Sequence, residues 1–362
     1  MANKLYLEEN YVIWEIDGTP TGEYSKNHCV YRETATSFII KEEIDNGVAN
    51  ILKADLDAGN WLDELDAPYT VASLRTWLRV NSGFKTAGGG SSAYLLDLYN
   101  SEGAYSMRKI SSTATNCIRV RRSNDNAEQD IGFVGDDLDT TSLLSFVGAN
   151  DGFVTTWYDQ SGNGRDAFNG FATPQPRIVL GGVLETKNTK PAIYFNDDWV
   201  KYSGQVVPLA TNPFSYFTVS SHETANDSAI VFKTRDIKQS SGGTYVLNWH
   251  DRSTFELNFQ IRASTAYFAN LSVQRDNSDY KLLSGFVDSS NNMSAFDNGA
   301  TGTTNTYSGT YTSDVLMIGD STTGSGVNQL VGHIGEVIIL NTDESANRTA
   351  IETDINNYYS VY

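Results

Sequence analysis

Five acidic residues, Asp159, Glu223, Glu256, Asp297 and Glu336, stand near the aromatic and polar side chains that sugar chemistry uses. Cleaving a glycosidic bond takes two carboxyl groups, about 5 Å apart in a retaining enzyme and roughly 6.5–9.5 Å apart in an inverting one. No two of these five are neighbours in sequence, so only the tertiary fold can pair them. No catalytic residue is therefore assigned. Three aromatics beside polar turns, Trp199, Trp249 and Tyr158, are the sequence's choice for stacking on a sugar ring, with burial in the core as the competing role.

The segment "VTTWYDQSGNGRDA", Val154 to Ala167, is the densest local pattern. Asp159, Ser161 and Asn163 have the spacing of a calcium loop's first half, with Gly164 in its sixth place. The twelfth place is Gly170, however, so the bidentate acid of an EF-hand is missing. Asp159 and Asn163 are expected to bond nearby amides and hold a tight turn that Gly164 permits. The alternative is a looser calcium site on Asp159, Asn163 and Asp166; otherwise no metal or cofactor is expected. In "RVRRSNDNAEQD", Arg119, Arg121 and Arg122 precede Asp125, Glu128 and Asp130, which predicts an ion-paired network fastening this loop to a sheet, with Arg121 and Asp125 as structural loop residues; the alternative is that these arginines bind a sugar or a phosphate. The histidines His28, His222, His250 and His333 show no metal-ligand spacing.

What must position these groups is largely strand. The chain has 362 residues, 19% charged and 40% hydrophobic, with a formal charge of −18. That balance disfavours binding to nucleic-acid phosphates and to anionic membranes. "MANKLYLEEN" lacks the basic and apolar regions of a secretion signal, and Cys29 and Cys117 are too few for a disulfide scaffold, so synthesis in a reducing cytoplasm is expected. Residues 1–85 read as a small α+β domain with a turn at Asp17–Gly18 and a helix in "APYTVASLRTWLRVNSGF", capped by Thr70. "KTAGGGSS" supplies a Gly/Ser linker at 86–92. From 93 to 362, short strands such as "CIRVRR", "PRIVL", "PAIYF", "SYFTVSS" and "HIGEVIIL" alternate with Asn/Asp/Gly turns. This predicts a mainly β sandwich or barrel, with a closing helix in "SANRTAIETDINNYY" capped by Ser345.

Longer comparisons add detail. "VLMIGD" followed by "GHIGEVIIL" resembles the closing half of a laminin-G-like or concanavalin-like jelly roll. "AYSMRKISSTATNCIRVRRSNDNAEQDIGF", then "VTTWYDQSGNGRDA" and "QPRIV", resembles the α-L-arabinofuranosidase B catalytic domain, which implies a concanavalin-like sandwich and, as one reading, glycosidase activity. That family's adjacent-cysteine pair has no counterpart here. The same segments, with the closing "SANRTAIETDINNYY", also resemble structural proteins of tailed bacteriophages. This resemblance implies a virion protein made in the host cytoplasm, a head decoration, head fibre or tail-associated adhesin. Its residues 1–85 would contact other virion proteins, and its jelly roll would bind host-surface glycans, in a homo-oligomer without membrane insertion. A glycoside hydrolase and a purely architectural capsid or tail protein are the alternatives.

Overall fold

Asp17 and Gly18 both take positive φ, 50° and 77°, which is the turn that a twisted two-residue hairpin requires. They join the antiparallel strands Tyr11–Ile16 and Thr19–Ser25, and Asn3–Glu8 completes the sheet together with a short parallel pairing to Trp61–Leu62. The computed structural model describes residues 3–8, 11–25, 29–33, 37–42, 48–63, 65–70, 73–74, 77–78, 94–203, 213–223, 229–235, 245–251, 256–263, 266–274, 280–300, 303–306, 315–319 and 330–362. The chain forms two units, Met1–Leu98 and Tyr99–Tyr362. The sequence placed the start of the second at 93; the short helix Leu95–Leu98 instead groups with the first. The Gly/Ser segment 86–92 lies outside the described residues.

In the first unit a second antiparallel sheet, Cys29–Glu33, Ser37–Glu42 and Val48–Leu52, adds Phe38, Ile40 and Ile51 to a core with Leu5, Trp14 and Trp61. Thr70 caps the expected helix: its Oγ1 accepts from Ser73 N at 3.0 Å, and Ser73 Oγ accepts from Thr70 N at 2.8 Å. This reciprocal pair satisfies two backbone donors that a helix start leaves open. Leu74 and Leu78, one turn apart, are both buried.

The second unit is antiparallel throughout its described pairings. One layer runs Thr303–Thr306, Asn292–Asp297, Lys281–Val287, Phe214–Ser220 and Val331–Leu340, the last flanked by both Ser101–Ser106 and Ile193–Asn196. The other runs from Glu128–Val134 through Asn116–Arg122, Gly152–Trp157, Ala167–Phe168, Val200–Tyr202, Val315–Ile318, Ala229–Arg235 and Tyr245–Asp251 to Glu256–Ala263 and Ala266–Gln274. Arg177–Leu180 pairs with both Gly152–Trp157 and Ile193–Asn196 and so joins the layers. The architecture is a mainly β jelly-roll sandwich, as the strand spacing and the resemblance to concanavalin-like domains together predict. Its core centres on Tyr216, whose ring meets Phe232 and Phe259 edge-on at 5.2 and 4.9 Å. Opposite Tyr216 stands Gly285, where a Cβ would lie 2.1 Å from the tyrosine ring.

Two helices depart from the sequence reading. Thr140–Val147 was not expected; Asp139 caps it by accepting from Ser142 N at 2.9 Å, while Leu143 and Val147 enter the core. The closing helix is Arg348–Tyr359, so Ser345 does not cap it but begins a preceding 3₁₀ turn, its amide bonded to Asp343. Ile351, Ile355 and Tyr359 recur at helical spacing and dock this helix on the sandwich.

Candidate functional site

Across the outer face of the second unit, directly paired residues make one row: Arg121, Phe153, Arg177, Tyr194 and His333, each from a different strand. Paired residues share a face, and adjacent strands lie about 4.8 Å apart, so the row extends roughly 19 Å. Cations and rings alternate along it. The Arg121 guanidinium carbon lies 5.0 Å from the centre of Phe153, that of Arg177 lies 4.7 Å from Tyr194, and Tyr194 is 5.0 Å from His333. Such stacking fixes guanidinium planes on ring faces and keeps their edges open to acceptors.

Charge converges at the His333 end. His333 Nδ1 lies 2.7 Å from Glu223 Oε1, and Lys187 Nζ reaches the same oxygen at 2.9 Å. On the other edge of the imidazole, Nε2 is 3.6 Å from Glu185 Oε2, an ionic contact too long for a hydrogen bond. Glu185 Oε1 also accepts from Arg177 Nε at 2.6 Å. Burial alone pushes the Glu223 carboxyl up, but His333 and Lys187 outweigh it and hold the group down at about 2. Glu185 is lowered, first by His333 and, against the opposing effect of burial, by Arg177. For His333 burial favours the neutral ring, yet Glu185 and Glu223 prevail and raise its pKa. The cluster is therefore a set of paired ions around a half-buried tyrosine, able to donate and accept hydrogen bonds with a hydroxyl-rich ligand. Asp198 differs: burial pushes it up to about 7, tempered by the Asn196 amide that donates to it at 3.0 Å.

Among the described residues, the carboxylates named from sequence are not brought together. Asp159 is engaged by its own turn: Oδ1 accepts from Ala104 N and Ser161 N at 2.9 and 3.0 Å, and Oδ2 from Ser161 Oγ and Arg165 N at 2.6 and 3.0 Å. Glu336 is fully buried and ion-paired to Arg108 at 3.0 Å. Asp297 lies three strands from the Glu336 strand, roughly 14 Å away, in register with the core residue Leu283. The side chain of Glu256 is outside the described residues. Among those described, only Glu223 enters the cluster, and its companion there is Glu185, which the sequence reading missed. Glu185 follows a two-residue strand and carries no local signal; only the pairing of Arg177 with Tyr194 brings it to His333.

Trp199, named from sequence as a stacking ring, is buried. It is 3% exposed because Val315 and Met317, from a strand more than a hundred residues away, close over it. The Trp249 side chain is outside the described residues. Tyr158 is half-buried and donates to Asp130 Oδ1 at 2.6 Å. Asn163 Nδ2 donates to Ser101 O at 2.8 Å, and Asp166 Oδ1 accepts from Asp159 N at 2.9 Å. Gly164 supplies a positive φ of 68°. Among the described residues no group of three or more His, Cys, Asp or Glu side chains is placed to hold a metal. The three arginines of this strand meet different partners. Asp125 pairs with Arg122 at 2.6 Å, and Arg119 pairs with Glu128 at 2.8 Å, whereas Arg121 donates to neutral partners, Gln175 at 2.7 Å, Asn126 at 2.8 Å and Ala172 O at 3.3 Å. Alternation explains this: Arg121 points to the outer row over Phe153, away from Asp125.

No family model matches the chain, and no curated protein matches it. Solved structures do share its fold. A GH54 α-L-arabinofuranosidase soaked with a cyclic sulfate inhibitor is 12% identical with a TM-score of 0.55, over 72% of this chain and 63% of that one. A mutant GH54 α-L-arabinofuranosidase soaked with 4-nitrophenyl α-L-arabinofuranoside is 14% identical with a TM-score of 0.54, over 72% and 63%. An arabinofuranosidase complexed with arabinofuranosyl-α-1,2-xylobiose is 14% identical with a TM-score of 0.50, over 70% and 62%. The chain thus spans less than two thirds of those enzymes' length. At such identities the likeness establishes a common sandwich fold, and function has to be argued from the site.

Proposed function

We propose that the second unit is a glycan-binding module that does not cleave its ligand, displayed on a tailed-bacteriophage particle through the first unit. The observation that carries the binding role is the convergence of Arg177, Glu185, Lys187, Glu223 and His333 around Tyr194: fixed charges and a ring edge on a sandwich whose fold relatives were solved with arabinose-containing ligands. The converging carboxylates Glu185 and Glu223 are both held ionised, so neither supplies the proton that a leaving sugar requires. The virion setting, the contacts with other virion proteins and the homo-oligomeric state are supported by the sequence resemblance and by the separate folding unit that could serve as an anchor. Repeated copies suit weak sites, because linkage raises avidity without new contacts.

The test is calorimetric titration with arabinan and arabinoxylan oligosaccharides. Saturable binding that falls about tenfold in Tyr194→Ala and in Glu223→Gln supports the reading. No binding, with the protein present as a stoichiometric particle component, would leave the architectural role. Hydrolysis is the second reading, and one observation favours it: Asp198 is pushed up to about 7 and Glu223 held down at about 2, and both act electrostatically on Tyr194, the kind of divergence that separates acid from nucleophile. Release of 4-nitrophenol from the aryl arabinofuranoside, abolished in Asp198→Asn, would establish an enzyme.

A further inference from the structure

Phe168 and Phe171 are 53% and 68% exposed on the outer face of the second unit. They belong to one assembly. Phe168 is directly opposite Lys201, the Lys201 ammonium lies 5.4 Å from the centre of Trp199, and Trp199 sits 6.3 Å from Phe171. The connecting loop is built to stay put. Buried Asn169 donates to Pro174 O at 2.7 Å and Trp199 O at 2.8 Å, and its Oδ1 accepts from Phe171 N at 2.9 Å. Buried Gln175 donates to Asn169 O at 2.9 Å and accepts from Arg121 at 2.7 Å. The loop's polar groups turn inward while its rings face water. Rings held rigid in solvent lose little freedom when a ligand stacks on them, which is the economy of an aromatic binding surface.

The charge beside these rings selects the ligand. The chain carries a formal −18, yet Arg121 and Lys201 contact rings and neutral acceptors and, among the described residues, form no ion pair with a carboxylate. Nearby Arg119 and Arg122, by contrast, are each paired with acids. Two unneutralised cations beside two exposed rings complement a sugar chain that carries its own carboxylates. Arg121 is also the first member of the row ending at His333, so a linear chain lying across the strands would run from one area into the other.

We propose that Phe168, Phe171, Lys201 and Arg121 form a binding surface for a linear acidic polysaccharide. Sugar rings stack on the two phenylalanines, and uronate carboxylates face the two cations. The class of ligand rests on the glycan-binding reading above; the surface itself does not depend on the His333 cluster.

The experiment titrates the full chain with oligogalacturonates of increasing length, with neutral arabinan oligosaccharides and with poly-glutamate. Variants are Phe168→Ala, Phe171→Ala, Lys201→Gln and Glu223→Gln, each checked by thermal melting; both phenylalanines are exposed, so their removal leaves the core intact. The expected result is oligogalacturonate binding that weakens as salt rises and falls about tenfold in Phe171→Ala and in Lys201→Gln. Retention in Glu223→Gln with no arabinan binding would uphold this surface while removing the His333 site. Arabinan binding that depends on Glu223, without oligogalacturonate binding, would overturn the surface and keep that site. Absence of both overturns both, and equal binding of poly-glutamate overturns the assignment to sugar.

Discussion

Glu223 Oε1 lies 2.7 Å from Nδ1 of His333, a residue 110 positions further along the chain, and the two fix each other's charge. The Glu223 carboxyl falls from an ordinary 4.5 to about 2, while His333 rises above 6.5. The glutamate's contribution to stability is therefore complete above pH 4.5 and lost as pH falls towards 2. The histidine's is complete below pH 6.5 and lost as pH rises through its folded value. Both are present between these limits, where the cluster stabilises the sandwich most. Thermal midpoints measured from about pH 5 to about pH 9 should fall on the alkaline side. In His333→Gln that part of the decline should vanish; an unchanged slope would show that the pair does not couple to folding.

Asp159 accepts four hydrogen bonds, three of them from backbone amides. Substitution by alanine strands those amides and should cost about 2–4 kcal/mol in chemical denaturation. Because both carboxylate oxygens are already engaged, excess chelator should leave the melting midpoint of the native protein in place. A drop restored by calcium would show that a metal shares the turn.

Arg108 and Glu336 form a buried pair, with Asp354 2.9 Å from the same guanidinium. Arg108→Met leaves the glutamate charged and buried without its main partner, and should cost about 3–5 kcal/mol. Joint replacement by Arg108→Met and Glu336→Leu should cost clearly less, since the fully buried glutamate charge is gone and only the more exposed Asp354 loses its contact with the guanidinium. Denaturant midpoints of the two variants decide the point.

Gly285 lies against the Tyr216 ring, so Gly285→Ala forces ring or strand to move. A loss of about 1–3 kcal/mol, the usual cost of overpacking, is expected in denaturant titrations. Pairing it with Tyr216→Leu should recover part of that loss by vacating the ring's volume.

Strands and turns were legible because their causes are local: β-branched alternation, the Asp17–Gly18 turn, and Thr70 with its reciprocal partner three residues on. The turn at Asp159 was legible for the same reason, since most of its acceptors and donors lie within a few residues. The charged site was not. Arg177, Tyr194 and His333 align only through strand register, and Glu185 arrives with them. Trp199 shows the same limit in reverse: a polar neighbourhood in sequence marked it as a surface ring, but strand Val315–Ile318 covers it. The helix Thr140–Val147 was hidden by its short length and two leading threonines, and it depends on the Asp139 cap and core contacts.

Cys117 sits fully inside the sandwich, its thiol donating to Ser106 O at 3.3 Å, and burial raises its pKa far above the ordinary thiol range. Thiolate, the form that reacts with disulfide reagents, is thereby suppressed while the layers stay closed. The residue is a chemical clock for opening. With Cys29 replaced by serine, the rate at which a coloured disulfide reagent modifies the protein would time the sandwich's excursions from its native state, without any added probe.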